Sequence, residues 1–515
     1  MLNNIKALVI VLTLGLGVWW VARSFCLRAM SLEDFNRRRL IWVTITVFVF
    51  TSPNFWIFCF LTILLLMWAM KREQNPLALY LLILYAAPYV HLYIPVVGIN
   101  QLFDLSYQRL LGFCILIPTL MRLRAKGFER GKQEPPRRAL QLADVAIVSY
   151  CALQVILWLP LESVTAAGRR GFLLFIDIVL PYLAFSRAIT SSKSLTESMY
   201  CFVLGAAILA PLAVFESARN WMLYVIVGAN WGAVQDFAFL FRAGSLRAQV
   251  TAGHALYLGY IFAIAFGFWL YLQREETSKM RAIGVSLWLW LGLFAAYSRG
   301  PWITAVAIMF VYYFLMPKGI TRTIKALAAT VMGGLLILLT PLGGRLLKAL
   351  PFVGSVDKEN VTYRQDLLDS ALRLIPAHPW LGDRFVMNQL EHLRQGQGII
   401  DMVNGFVVVV LYYGLIGLLL VSIFLLSPLA KGYFASRRAA SSAPDSQALG
   451  LILVACMIGS FLHIAMTAFD LMMWAISGML IAYSTITNES LAAAADMRRS
   501  RATPLRNSRP TRGTL

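Results

Sequence analysis

Arg364 heads a helix-like run, Arg364–Ile375, in the one long stretch of this 515-residue chain that is too polar to lie in a membrane. At helical spacing Leu367, Leu368, Ala371, Leu372 and Ile375 form one apolar stripe, with Asp366, Asp369, Ser370 and Arg373 opposite. Arg364 falls in the middle of the apolar stripe. A cation aimed where the apolar side points is costly unless an anion waits there. The alternative is a guanidinium that snorkels at a membrane edge. Other arginines recur beside apolar runs: Arg169 and Arg170 before Gly171, Arg242 and Arg247 in FRAGSLRAQVTAGH, and Arg299 in YSRGP. Pro301 suits the first residue of the next helix and Ser298 or Gly300 its cap. Arg299 would then stand beside open N–H groups and the positive end of a helix dipole, an anion-binding corner. The competing reading is a tight turn whose arginine rests on lipid phosphate.

Guanidinium is permanently charged and grips phosphate oxygens in pairs, so several arginines converging on one face suit a diphosphate. His378, His392 and Asp401, all near the Arg364 run, are the groups that could move a proton near neutral pH. No Asp-x-Asp pair stands near them to hold Mg²⁺. A metal-free reaction is expected, with no cofactor and with arginines neutralising a pyrophosphate leaving group.

The elements that must position these residues are membrane helices. The chain is 59% hydrophobic and only 14% charged, with 14 Trp and 31 Phe. Apolar runs of about 17–25 residues, the length that crosses a hydrocarbon core, recur from residue 6 to residue 487. Without water to bond the backbone, such runs must be helical. The expected fold is all-α: a polytopic transmembrane helical bundle of about 13–15 spans. Residues 1–341 would hold helices and short loops, 342–402 a large and partly helical loop, 403–487 the last spans and 488–515 a disordered basic tail. The run 40–70 is long for one span and is interrupted by Thr51-Ser52-Pro53-Asn54, so it is either one tilted helix or a hairpin of two.

The net charge of +21 would suit nucleic acid, but its distribution does not. Basic residues gather in 122–138, 273–281, 318–325, 431–438 and 498–512, every second connection, as cytoplasmic loops do under the positive-inside rule. No nucleic-acid partner is expected. The arginines singled out above then fall on the other side. The loop 342–402 carries seven basic and seven acidic residues, the balance of a folded region. Six cysteines, all in or beside apolar runs and without CxxC spacing, indicate neither a disulfide framework nor a zinc site. No G-x-G-x-x-G or Walker-type loop is present.

Four strings taken in order resemble the O-antigen ligase and exopolysaccharide polymerase superfamily of bacterial inner membranes. They are the arginine-bearing segment ending TAGH (242–254), SRGPW (298–302), YRQDLLDSALRLIPAHPWLGD (363–383) and NGFVVVVLYYGLIGLL (404–419). The resemblance covers roughly 160–430, about half the chain. Its pattern is an Arg before an amphipathic helix, then His-Pro and Gly, then an Asn, then Gly-x-x-Gly. The counterparts here are Arg364, His378-Pro379, Gly382, Asn404, Gly414 and Gly417. The resemblance implies a membrane glycosyltransferase taking glycan from undecaprenyl pyrophosphate on the periplasmic side. It also implies partners in membrane lipids, a polysaccharide flippase, a chain-length regulator and export proteins. Arg364, Arg299, Arg242, Arg247, Arg169 and Arg170, with Asn404 and His378, would bind the pyrophosphate and glycan.

One departure shapes the expectation. The ligases carry a histidine just before the Asn; here Val403 stands there. The proton acceptor would then be Asp401, His254 or His392, and a polymerase becomes the expected activity. A ligase acting on lipid A-core or protein, a transporter of lipid-linked glycans and a scaffold for export are the competing readings. A transporter buries charges at mid-membrane on broken helices. Only Asp177, Glu216 and Asp470 offer themselves for that.

Overall fold

The structure is a computed structural model. It describes residues 2–94, 102–129, 140–233, 237–242, 244–339, 358–394, 400, 402 and 404–502. It is the expected all-α polytopic bundle. Among the described residues seven helices are long and apolar enough to cross a membrane, and two shorter apolar ones run Leu142–Trp158 and Arg299–Leu315.

The interrupted run resolves into a hairpin. Helix Leu32–Thr51 ends at Ser52, and Asn54 caps helix Phe55–Arg72 by accepting the N–H of Ile57 at 2.9 Å. The apolar stretch from Leu77 to Ile94 is not one helix. Helix Pro76–Ile83 stops ahead of Pro88, which cannot continue the ladder, and a short antiparallel pair follows, with His91 opposite Ser106. The last helix, Leu471–Ala502, runs on past 487, into the segment expected to be a disordered tail.

Ion pairs show which helix ends share a face. Arg38, buried, reaches Glu73 and Glu197, each at 2.7 Å. Arg28 pairs with Glu276 at 3.2 Å, and Arg274 with Asp445 at 3.1 Å. Residues 28–38, 73, 197, 274–276 and 445 therefore lie together on the basic face, and Arg28, Arg37 and Arg38 of the N-terminal cluster are among them. The starts of helices Ala255–Leu272, Arg299–Leu315, Gly405–Ala439 and Leu471–Ala502 meet at the opposite face. There Gly300 lies against Met466, and Gly405 against Ile464 and Phe469. Four positive dipole ends thus point to the side that carries the loop arginines.

Candidate functional site

Three arginines come together on that face. Two of them sit on a tight antiparallel turn in which Phe241 pairs with Leu246 and Arg242 with Ser245. Arg242 donates from Nη1 to the carbonyl of Tyr297 at 2.9 Å, and Arg247 from Nη2 to the hydroxyl of Ser298 at 3.1 Å. Ser298 is the N-cap of helix Arg299–Leu315, yet its side chain makes no capping bond to that helix. Its hydroxyl accepts from Arg247 instead. The helix begins at Arg299, two residues before the Pro301 start expected from SRGP. Arg299 is half-buried at its start.

Arg247 is the electrostatic centre. It is half-buried, its Nε has no hydrogen-bond partner and no carboxylate pairs with it among the described residues. Burial first, and then the neighbouring charges of Arg242 and Arg364, pull its guanidinium down to about 10, still a cation at neutral pH. A cation held beside two others is costly without an anion to meet it.

Arg364 arrives from the loop. Its helix runs Lys358–Leu374, six residues earlier than expected at its start. The apolar stripe divides. Leu367 and Ala371 are buried, Leu374 and Ile375 partly so, and Ala371, Leu374 and Ile375 pack near Val407 and Leu411 of helix Gly405–Ala439. Leu368 and Leu372 are exposed. Arg364 lies one turn before the buried stripe and is exposed, not buried as the stripe suggested. It pairs with no carboxylate among the described residues and sits within electrostatic range of Arg247.

A mutual interlock holds the loop in register. Helix Gly405–Ala439 breaks at Gly414 (φ 64°, ψ −167°). The freed N–H of Leu415 donates to Pro379 O at 2.8 Å and that of Ile416 to Trp380 O at 3.3 Å. In return Leu411 O accepts the N–H of Asp383 at 2.7 Å, and Arg384 Nη1 donates to Tyr412 O at 3.2 Å. A break inside a membrane helix is tolerable because the loop backbone satisfies it. Both glycines are obligatory. Gly382 has φ 67°, and a Cβ there would stand 2.5 Å from Leu411 O; a Cβ on Gly414 would stand 2.5 Å from Leu381 N and meet the Trp380 carbonyl.

The remaining expected site residues are placed as follows. His254 caps helix Ala255–Leu272, its Nδ1 accepting the N–H of Leu256 at 3.2 Å. In the neutral ring that bond leaves the proton on Nε2. Asn404 caps helix Gly405–Ala439, accepting the N–H of Phe406 and Val407 at 3.1 and 3.2 Å. His378 is exposed at the turn after Ala377, and His392 is exposed farther along the loop. Arg170 is engaged elsewhere: it pairs with Glu162, lies 4.4 Å over the Trp158 ring and is near Tyr413. Arg169 adjoins it, and no contact brings either to the three-arginine cluster. Asp401 and Val403 lie outside the described residues. Trp231 and Trp302 are buried, their indole N–H groups satisfied by Ser52 O and Leu293 O, as packing residues.

Sequence reasoning passed over Asp470 as a site residue. It opens helix Leu471–Ala502 on the same face, half-buried, accepting the N–H of Met472 at 2.8 Å. Burial raises its carboxyl to about 6, and it stands within electrostatic range of Tyr85, Tyr89 and Tyr260. Tyr85 O accepts the hydroxyl of Thr251 and Tyr89 N–H reaches Thr251 O, so this acid borders the arginine-bearing segment. Its place just ahead of a span, in FDLMMW, is the signal that could have found it. Asp177, by contrast, is held by Arg109 at 2.6 Å.

No curated protein matches the chain. Residues 284–422 match the family model described as O-Antigen ligase, a stretch that holds Arg299, Arg364, the interlock and Asn404. Arg242, Arg247 and His254 lie before it. The family's members are membrane glycosyltransferase-like ligases and polymerases acting on lipid-linked glycans. Over residues 284–422, about a quarter of its length, this multi-pass membrane protein is accordingly similar to the O-antigen ligase domain, which supports the O-antigen ligase and polymerase superfamily reading.

Proposed function

We propose that the protein is a polysaccharide polymerase. It would transfer glycan from an undecaprenyl-pyrophosphate-linked repeat unit to a sugar hydroxyl of another lipid-linked unit, at the periplasmic face of a bacterial inner membrane. One observation carries this reading: the half-buried Arg247, with an unmet Nε donor and two further arginine charges in range, pairs with no acid among the described residues. The positive-inside rule supports the sidedness, since the arginine site lies opposite the basic face.

In the reaction the acceptor oxygen attacks the anomeric carbon of the donor sugar. The bond from that carbon to the pyrophosphate oxygen breaks, and the pyrophosphate leaves with the electron pair. Arg242, Arg247 and Arg364, with the positive end of the helix that begins at Arg299, stabilise the charge that builds on it. The acceptor's proton passes to a base. Asp470 suits that role, being half-buried, on the right face, and close enough to neutrality to be ionised at pH 7 yet basic enough to take a proton. The ligase reading is favoured by the family description, and the polymerase reading by Val403 in place of a histidine.

Asp470 gives this reading a pH signature. A base must be ionised to act, so transfer should fall as pH drops through about 6 and be flat above it. Asp470→Asn should lower turnover by about a hundredfold or more and abolish the acidic limb. An acidic limb that persists in the asparagine variant would assign the proton to another group. The same assay in excess EDTA should keep its rate; loss restored by Mg²⁺ or Mn²⁺ would overturn the metal-free step.

A further inference from the structure

Glu216 is a carboxylate that pairs with no cation among the described residues. It lies in the last turn of helix Ser192–Arg219, fully buried, and its hydrogen bonds go to backbone. Oε1 accepts the N–H of Leu223 at 2.9 Å; Oε2 accepts those of Gln249 at 3.1 Å and Val250 at 2.9 Å. One turn on, Asn220 ends the helix in the left-handed conformation, and its Oδ1 accepts the N–H of Leu246 at 2.9 Å. One helix end therefore grips the segment 246–250 at three amides, and Arg247 lies between the gripped positions.

The grip works against strain. Val250 has φ 48°, a conformation that a β-branched side chain adopts only when its surroundings impose it. The N–H of Val250 is one of the three that Glu216 holds. Beyond it, Thr251 is tied to Tyr85 and the chain enters the helix capped by His254. Released from the carboxylate, residue 250 would relax and the course of residues 242–249 would change with it. Glutamine offers one acceptor oxygen where three N–H groups need two. A buried acid is costly without a cation, and here it is met by convergent amides that only this loop path supplies.

We propose that Glu216 is the positioning residue of the arginine site, its buried carboxylate setting the path that aims Arg242 and Arg247. The proposal rests on the pyrophosphate reading for its ligand, but the clamp has a readout of its own. In Glu216→Ala, hydrogen exchange at residues 246–250 should speed by about tenfold or more, while residues 192–212 and 30–40 keep their protection. The KM for the lipid-linked donor should rise by about tenfold, with kcat less affected and the unfolding temperature close to wild type. Glu216→Gln, which keeps one acceptor oxygen, should fall between the two and serves if the alanine variant does not insert. Unchanged exchange at 246–250 in both variants would overturn the proposal. So would a uniform loss of protection across the bundle, which would make Glu216 a general packing residue. A wild type that binds no polyprenyl pyrophosphate, with the exchange result intact, would sink the functional reading and not the clamp.

Discussion

Arg364→Ala is expected to lower glycan transfer by about a hundred- to a thousandfold while leaving protein level and membrane insertion near normal. Both effects come from one geometry. Arg364 is exposed and pairs with no carboxylate among the described residues, so its removal strips little from the fold. Its charge nevertheless reaches Arg247, so in the proposed site both guanidinium groups would act on one anion. Arg364→Lys should restore only a small part of the rate, because a point charge does not reproduce a planar fork. Arg247→Ala should cost as much activity and behave differently in one respect. It removes a cation held in place against Arg242 and Arg364, so its effect on unfolding temperature should be small or favourable. Transfer assays of the three variants in nanodiscs, normalised to inserted protein, decide the matter. Full activity in Arg364→Ala would end the pyrophosphate role of that residue.

Gly414→Ala should be severely damaging for the addition of a single methyl group. Position 414 has φ 64°, in the left-handed half of backbone space, and the new Cβ would be driven into the Trp380–Leu381 peptide. Neither side can yield, since that peptide belongs to the loop that completes the broken helix through Leu415, Ile416 and Asp383. A destabilisation of about 4 kcal/mol or more is expected, the size kept for backbone strain combined with a core clash. It should appear as a lowered unfolding temperature and as new proteolysis between residues 375 and 394. Gly284→Ala is the control. A Cβ there meets nothing within 4 Å, in the middle of helix Lys279–Ala295. It should leave stability unchanged or raise it by about 1 kcal/mol through helix propensity.

The contrast between these residues shows what a linear sequence discloses and what it hides. Helices follow from apolar runs because the bilayer leaves the backbone one choice, and Lys358–Leu374 is legible from its stripe. The stripe alone overstates the buried face. A helical wheel cannot tell that Leu368 and Leu372 face outward, or that the helix packs on one narrow seam at Leu411. The interlock pairs 379–384 with 411–416, and no periodicity records a pairing across some thirty residues of chain. Residues 404–419 read as an unbroken span for that reason. Glu216 has the look of a mid-membrane charge because two of the amides it holds lie more than thirty residues away. Arg170 has the look of a phosphate ligand, and only the fold shows Glu162 and Trp158 holding it. The helix that holds Pro301 in its first turn is legible to within two residues because the signals of a helix start are local.

One assay tests the polymerase reading most directly. Purified protein in nanodiscs would be given an undecaprenyl-pyrophosphate-linked repeat unit, and the products resolved by size and by released lipid. Longer glycans appearing together with free undecaprenyl pyrophosphate, and lost in Arg364→Ala, are the predicted result. No elongation and no release, with the lipid-linked sugar instead crossing the bilayer of a liposome, would contradict it and make the protein a transporter.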